Sequence, residues 1–262
     1  MLELAERFRL RANNGEAQWG TFLVEFEATG VVHMLANAGL DFILIDGEHG
    51  SYGISQMRRL IEAATAAGIT ALARVPMDQR GTVTQALDCG AAGILFPQIR
   101  TMQQVRNAVA MTKYAPLGER GVHLLRPHTG FKTPDDQIEF YRRANNSLIT
   151  AVQIETPEAV ELADDIAATE GVDMLYVGPG DLGALLGVQG ADSHPKIIEA
   201  LRHVGQVCAK HGKIAGCHLG KIENAVNRME DGFRVFGHMA ASRFFIGGIQ
   251  AFAEQARAIT IK

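Results

Sequence analysis

Cysteine is scarce and scattered: Cys89, Cys208 and Cys217 are the three in 262 residues. No two stand in a CxxC spacing, which argues against both a thiolate metal cage and a disulfide framework. No apolar run reaches the ~18 residues that a membrane-spanning helix needs. The opening stretch Met1-Leu2-Glu3-Leu4-Ala5-Glu6-Arg7 is amphipathic and lacks the apolar centre of a secretion signal, so a cytoplasmic location is expected. Positive charge is nowhere concentrated. No basic run is longer than Arg142-Arg143 and the net charge is −4, which excludes a polyanion-binding surface and makes a nucleic-acid partner unexpected. Anionic ligands would have to be captured by local groups. Linkers and low-complexity stretches are also missing. What is present is an ordinary globular composition, 47% apolar and 21% charged, with enough apolar material for one large core. The length suits a single domain over residues 1–262, near the ~250 residues of one (β/α)8 barrel.

Short apolar runs alternate with helical patterns along the chain. The runs are Gly20–Phe26, Phe42–Asp46, Ile69–Val75, Gly93–Pro97, Leu148–Ile154, Asp173–Val177, Ile214–Cys217 and Phe233–Phe236. Helix-like segments such as Gln56–Ala67, Thr82–Cys89, Gln103–Met111, Pro157–Ala168, His194–His211 and Ile222–Glu230 lie between them. Glycine stands just past a helical pattern at Gly39, Gly68, Gly90, Gly171, Gly212 and Gly232, where a helix stop is expected. The runs are apolar nearly throughout, as in parallel strands covered on both faces. Eight such units predict an α/β fold, a (β/α)8 TIM barrel. The longest gap, Tyr114–Asn146, should hold an inserted loop as well as a helix. The segment Ser242–Ala258 reads as a terminal helix whose Phe244, Phe245, Ile249 and Phe252 pack on the barrel or on a neighbouring subunit.

Barrel active sites lie at the C-terminal ends of the strands. There the sequence places Asp46-Gly47-Glu48-His49, Arg74, Gln98, Gln153 with Glu155, Gly178-Pro179-Gly180-Asp181, and His218. Glu155 and Asp181, at the ends of consecutive strands, are candidate metal ligands, because paired carboxylates offer hard oxygens. Each has a plainer alternative: Glu155 as a helix N-terminal acid and Asp181 as an N-cap. The glycines around Asp181 would let backbone approach a ligand, and a helix start would aim free N–H groups at it. Arg74 ends an otherwise apolar strand, where a guanidinium is costly unless it faces an anion or pairs with Asp46 or Glu48 inside the barrel. Asp46 and His49 suggest a dyad in which the carboxylate orients the imidazole for proton transfer. His123 and His128 fall in the long insertion, and His218 and His238 near strand ends. No lysine ends a core strand except Lys221, past the seventh, which weighs against a Schiff base.

These strand ends, with Gly118-Glu119-Arg120-Gly121, give the chain a resemblance that covers nearly its whole length. The ordered set Phe42–His49, Ala73–Pro76, Val152–Thr156 and Val177–Leu182 resembles the metal-dependent (class II) pyruvate aldolases, the family of 4-hydroxy-2-oxoheptanedioate and 2-keto-3-deoxy-sugar-acid aldolases. The resemblance implies a site for Mg²⁺, Mn²⁺ or Co²⁺ held by Glu155 and Asp181. It implies that Arg74 contacts the pyruvyl oxygens, that Asp46 and His49 assist proton transfer and that Gln153 lies beside the metal. The amides of Gly180 and Asp181 would hold the substrate carboxylate, and Asp88 would be lent by a neighbouring subunit. A homo-oligomer is implied, a hexamer with exchanged C-terminal helices. The sequence departs from the family after the eighth strand, where Val235-Phe236-Gly237-His238-Met239-Ala240 lacks the expected aspartate, and at Leu124-Leu125-Arg126-Pro127-His128.

The expected activity is therefore that of a carbon–carbon lyase acting on 2-oxo acids and aldehydes through a pyruvate enolate. An oxaloacetate decarboxylase would share that enolate. A citryl- or malyl-coenzyme A lyase would need a basic groove that the charge pattern does not supply. A non-catalytic metabolite-binding barrel would not need the strand-end acids, and a flavin- or phosphate-binding barrel would need a glycine-rich loop after the seventh or eighth strand.

Overall fold

The computed structural model describes residues 2–259. Met1 and residues 260–262, the two ends of the 1–262 domain, lie outside the described residues. Eight strands are β1 (Gln18–Leu23), β2 (Phe42–Asp46), β3 (Thr70–Arg74), β4 (Gly93–Phe96), β5 (Ile149–Ile154), β6 (Met174–Val177), β7 (Ile214–Leu219) and β8 (Val235–Ala240). Each pairs in parallel with its neighbours, and β1 pairs with β8, so the sheet closes on itself. All eight apolar runs are strands. β7 and β8 continue past the runs, taking in His218-Leu219 and His238-Met239-Ala240. A sheet neighbour on each side extends pairing into residues whose own polarity suggested a loop. The expected helix Pro157–Ala168 is two, Pro157–Glu161 and Ala163–Ala168, meeting at Leu162. All six glycines expected to stop helices have positive φ. At Gly68 and Gly90 the left-handed conformation returns two amides to the last helical carbonyls, which a side chain there would strain.

Side chains alternate along each strand, and closure gives the two faces separate fates. Ile43, Ile45, Ala71, Ala73, Ile94 and Phe96 face the surrounding helices. Phe42, Leu44, Leu72, Leu95, Ala151, Met174 and Tyr176 fill the barrel interior. The amphipathic N-terminus forms the helix Leu2–Asn13, whose Ala5, Phe8 and Ala12 join the interior cluster and plug the bottom of the barrel. Full burial of Phe8, edge-on to Phe42, contributes about 1.5–3 kcal/mol. With its lower end closed this way, the barrel can open a cavity only at the top.

The lower rim also carries a buried ion pair. Lys113 has no exposed side-chain surface; its Nζ donates to Asp173 Oδ2 at 2.6 Å, the Leu148 carbonyl at 2.6 Å and the Asn145 carbonyl at 2.9 Å. Burial lowers the Lys113 pKa, and Asp173 opposes the shift. Asp173 also accepts the Thr150 amide and pairs with Arg9, so the network ties the inserted helix Gln137–Ser147 to the starts of β5 and β6. Lys113→Met should destabilise the fold by about 3–5 kcal/mol, because a buried carboxylate and two carbonyls lose their donor. Urea unfolding checks this, and a midpoint unchanged from wild type would refute it.

Candidate active site

The same alternation that fills the barrel turns a set of polar side chains into its upper mouth. Counting in twos, Asp46 follows Leu44, Arg74 follows Leu72, and Gln153 and Glu155 follow Ala151. Parallel register brings strands together in pairs: Asp46 sits opposite Arg74, and Gln153 opposite Tyr176. The result is a cavity of about 490 Å³ at the C-terminal end, lined by Phe22, Val24, Asp46, His49, Arg74, Gln153, Tyr176, Gly178–Asp181, His218, Met239, Ala240 and Arg243.

Arg74 stands at the centre of a charge network. Its Nε donates to Asp46 Oδ1 at 2.8 Å and its Nη2 to Oδ2 at 2.5 Å, a two-point grip. Nη1 lies 3.1 Å from Glu48 Oε2, and the guanidinium covers the Phe22 ring at 4.8 Å. Both partners weighed in the sequence for Arg74, Asp46 and Glu48, are therefore taken, and the arginine still faces the cavity. Burial would raise the Asp46 pKa, but the bonds and charge of Arg74 outweigh it and hold the carboxyl below its ordinary value. Glu48 goes the other way: burial lifts it, against the pull of Arg74 and His49.

The expected Asp46–His49 dyad takes a different form. Asp46 Oδ1 accepts the backbone amides of Glu48 at 3.0 Å and His49 at 3.3 Å, an Asx-type turn, and spends the rest of its capacity on Arg74. It does not bind the imidazole. The exposed His49 ring instead has Nε2 4.0 Å from Glu48 Oε2. The carboxylate turns inward because a buried guanidinium on the adjoining strand is a stronger partner than a solvated ring.

Glu155 is wholly buried just beyond β5. Its Oε1 accepts the Gln98 amide at 2.7 Å and its Oε2 accepts from Gln153 Nε2. Burial pushes its pKa up to about 7; the Gln98 amide opposes this, and the charges of Asp181 and Glu48 add to it. A side chain at position 178 would meet Glu155 Oε2 at 2.8 Å, so glycine lets the acid lie against the start of the helix Pro179–Leu185. Asp181 occupies the first turn of that helix, half-buried at the mouth. Gly180 and Asp181 contribute first-turn amides of the kind that lack helical acceptors. The two acids thus meet at the upper end of the barrel. Gln153 Oε1, beside them, is buried with no hydrogen-bond partner among the described residues. Two carboxylates and an unused carboxamide oxygen make a hard donor set that fits a divalent ion such as Mg²⁺. Among the described residues no group of three or more His, Cys, Asp and Glu is arranged to hold an ion, so remaining positions would fall to water and substrate.

Asp88 stands outside this cavity. It is buried on the helix Arg80–Cys89, paired with Arg120 at 2.8 Å, and its carbonyl oxygen lies 3.2 Å from His128 Nδ1. Burial first, then Arg120, brings His128 down to about 4. His123 is exposed on the inserted loop and is not among the cavity residues. His218 does line the mouth, whereas His238 donates or accepts at the Leu219 carbonyl, 3.0 Å away, and is not among the lining residues. Sequence reading missed Phe22, Val24, Tyr176, Met239, Ala240 and Arg243. The first three fall on the inward count of β1 and β6 and were recoverable from it. Arg243 lies on a helix and carried no signal.

A (β/α)8 barrel whose upper mouth gathers paired acids, a gripped arginine and helix-start amides defines an enzyme that works on a small anionic oxo compound. Residues 18–240 match the model of the HpcH/HpaI aldolase/citrate lyase family, and the chain belongs to that family of class II pyruvate aldolases; it is a carbon–carbon lyase. It is 36% identical over 195 residues to the 5-keto-4-deoxy-D-glucarate aldolase of Shigella boydii serotype 18 (strain CDC 3083-94 / BS512), covering 74% of each chain. Its structure is similar to that of an HpcH/HpaI aldolase from Desulfitobacterium hafniense DCB-2, with TM-score 0.90 and 29% identity over 96% of this chain and 97% of that one. It is also similar to the citrate synthase SbnG, with TM-score 0.85 and 26% identity over 95% and 96%.

Proposed function

We propose that this enzyme is a divalent-metal-dependent aldolase that makes and cleaves 4-hydroxy-2-oxo acids through a pyruvate enolate. The carrying observation is the buried Glu155, raised to about 7 beside Asp181 at the mouth that Arg74 also faces. Mg²⁺, Mn²⁺ or Co²⁺ held by Glu155 and Asp181 would supply Lewis-acid charge at the oxo group. Gln153 fixes Glu155 and keeps one oxygen directed to the same place. Arg74, anchored by Asp46 and Glu48, presents fixed positive charge to the oxygen that becomes negative as the bond breaks. The Gly180 and Asp181 amides take the substrate carboxylate.

His49 is the group best placed to move a proton, at the rim and free to turn toward the aldol hydroxyl. Glu48, not Asp46, is the acid within reach of its ring. His49→Ala should slow turnover by ~10²–10⁴-fold. Steady-state cleavage assays check this, and a rate within a factor of about two of wild type would remove His49 from the mechanism.

The exposed apolar side chains Phe244, Phe245, Ile246, Ile249 and Phe252 on the helix Ala241–Arg257 support a homo-oligomer, a cytoplasmic hexamer with exchanged C-terminal helices. In such an assembly Asp88 would serve a neighbour's mouth. Exchange of the pyruvate methyl protons for deuterium, with and without Mg²⁺, tests the enolate. An aldehyde panel under Mg²⁺, Mn²⁺ and Co²⁺ tests the bond-forming step. A second reading, oxaloacetate decarboxylation through the same enolate, draws on the similarity to a citrate synthase structure. Pyruvate release from oxaloacetate in the absence of carbon–carbon cleavage of any 4-hydroxy-2-oxo acid would favour it.

A further inference from the structure

The cavity has two unlike arcs. Strands β2, β3, β5 and β6 bring every acid and the neutralised Arg74. Strands β7, β8 and β1 are contiguous around the barrel and form the other arc. That arc, with the start of the C-terminal helix, contributes Phe22, Val24, His218, Met239, Ala240 and Arg243, and not one of these is acidic. Where an aspartate was expected beyond β8 stands Met239, held at φ 54°. Arg243 makes no hydrogen bond or ion pair with any described residue, whereas Arg74 answers to two carboxylates.

Two buried polar atoms face the same wall. Tyr176, 1% exposed, makes no hydrogen bond of good geometry through its hydroxyl, and His218 Nδ1 is buried with no partner among the described residues. Both come within 3.4 Å of one point beside the Gly237 backbone, a point a side chain at 237 would fill. Glycine there keeps the pair open to the cavity. The His218 ring is braced edge-on by Phe22, with centroids 5.4 Å apart. Burial first, then the nearby His238 and Arg74, keep it neutral down to about pH 4, so it acts as a hydrogen-bond donor or acceptor, not as a charge. A free guanidinium beside unused neutral hydrogen-bonding groups suits a carboxylate, whose two oxygens match the planar fork.

We propose that this arc is the acceptor subsite, in which Arg243, helped by His218 and Tyr176, holds a carboxylate at the far end of the aldehyde and makes the enzyme prefer anionic aldehydes over neutral ones. This rests on the aldolase reading above, and it adds the chemical class of the second substrate and the residues that select it. Arg243 is exposed on the first turn of its helix, so its replacement should leave the fold intact, as circular dichroism can verify.

The test is condensation of pyruvate with 4-oxobutanoate and with butanal, which have equal carbon counts, under Mg²⁺. The wild-type enzyme should show the higher kcat/KM with 4-oxobutanoate. Arg243→Met should reduce the ratio of the two kcat/KM values by ~10–100-fold, the loss expected for a hydrogen-bonded charge pair. Arg243→Lys should recover part of the ratio. A wild-type enzyme with no preference, or a ratio that Arg243→Met leaves unchanged, overturns the subsite. A wild-type enzyme that joins neither aldehyde and exchanges no pyruvate methyl protons overturns the aldolase reading itself, and the subsite with it.

Discussion

Glu155→Ala is expected to abolish turnover and, with it, retention of the divalent ion; Asp181→Ala should do the same. The two acids are the oxygen donors that meet at the mouth, and no third acidic or imidazole group completes a set with them among the described residues. A site with two protein carboxylates has no spare to compensate for a lost one. Stability should move differently. Without metal, Glu155 is a buried acid whose charged form is disfavoured by burial, Asp181 and Glu48, so metal-free Glu155→Gln should unfold no more easily than the metal-free wild type. Equilibrium dialysis against Mn²⁺, cleavage assays and thermal unfolding read the three effects separately. Wild-type activity that survives exhaustive chelation, or a Glu155→Ala enzyme that retains Mn²⁺ and turns over, would end the metal assignment.

Arg74→Met should lose both activity and stability. Asp46 is 1% exposed and depends on Arg74 for the charge pairing that keeps its pKa low. Removing one partner of a buried pair costs about 3–5 kcal/mol, because the remaining charge has no compensation. The sign of the pH effect follows. In the wild type the folded-state Asp46 pKa lies below its unfolded value, so the pair's contribution is present above the unfolded pKa and is lost as pH falls through the folded one. In Arg74→Met that contribution is gone, and burial alone would raise Asp46, so the deficit relative to wild type should be greatest near neutral pH and shrink in acid. Turnover should fall ~10²–10³-fold or more, the scale of a lost preorganised donor at a developing oxyanion. Arg74→Lys keeps the charge but not the two-point grip on Asp46, and should recover stability better than rate. Urea midpoints between pH 4 and pH 8, with kcat/KM at pH 7.5, test this. A midpoint equal to that of wild type across the range would show that Arg74 does not hold Asp46.

The architecture was readable because its signals are local. Eight apolar runs bounded by glycine helix stops define eight βα units, and each is specified within some twenty residues of chain. The candidate site was also largely readable. A polar residue immediately after an apolar run, such as Arg74 after Ala71-Leu72-Ala73 or Glu155 after Val152-Gln153-Ile154, marks a strand end, and strand ends converge in a barrel. Two kinds of error remained. The ends of β7 and β8 were set too early, because His218 and His238 break the apolar pattern although neighbouring strands still pair with them. The partner of Asp46 was also misjudged, because proximity in sequence favoured His49 while barrel register supplied Arg74, 28 residues on. Tyr176 shows what was overlooked: it reads as one more apolar strand residue, but it lies two before Gly178 and so points inward.

By itself, then, the sequence determined which segments are strands, which glycines end helices, and which acids and arginine stand at the top of the barrel. These follow from periodicity and backbone conformation, which act over a few residues. Only the tertiary structure decided who faces whom. It gave Asp46 to Arg74 and the His49 ring to Glu48, withdrew Asp88 to Arg120, and brought Arg243 from the last helix to a mouth that begins with Phe22. Closing β1 against β8 sets those meetings, since residues far apart in the chain become neighbours only when the sheet's two edges join and its inward side chains must share one enclosed space.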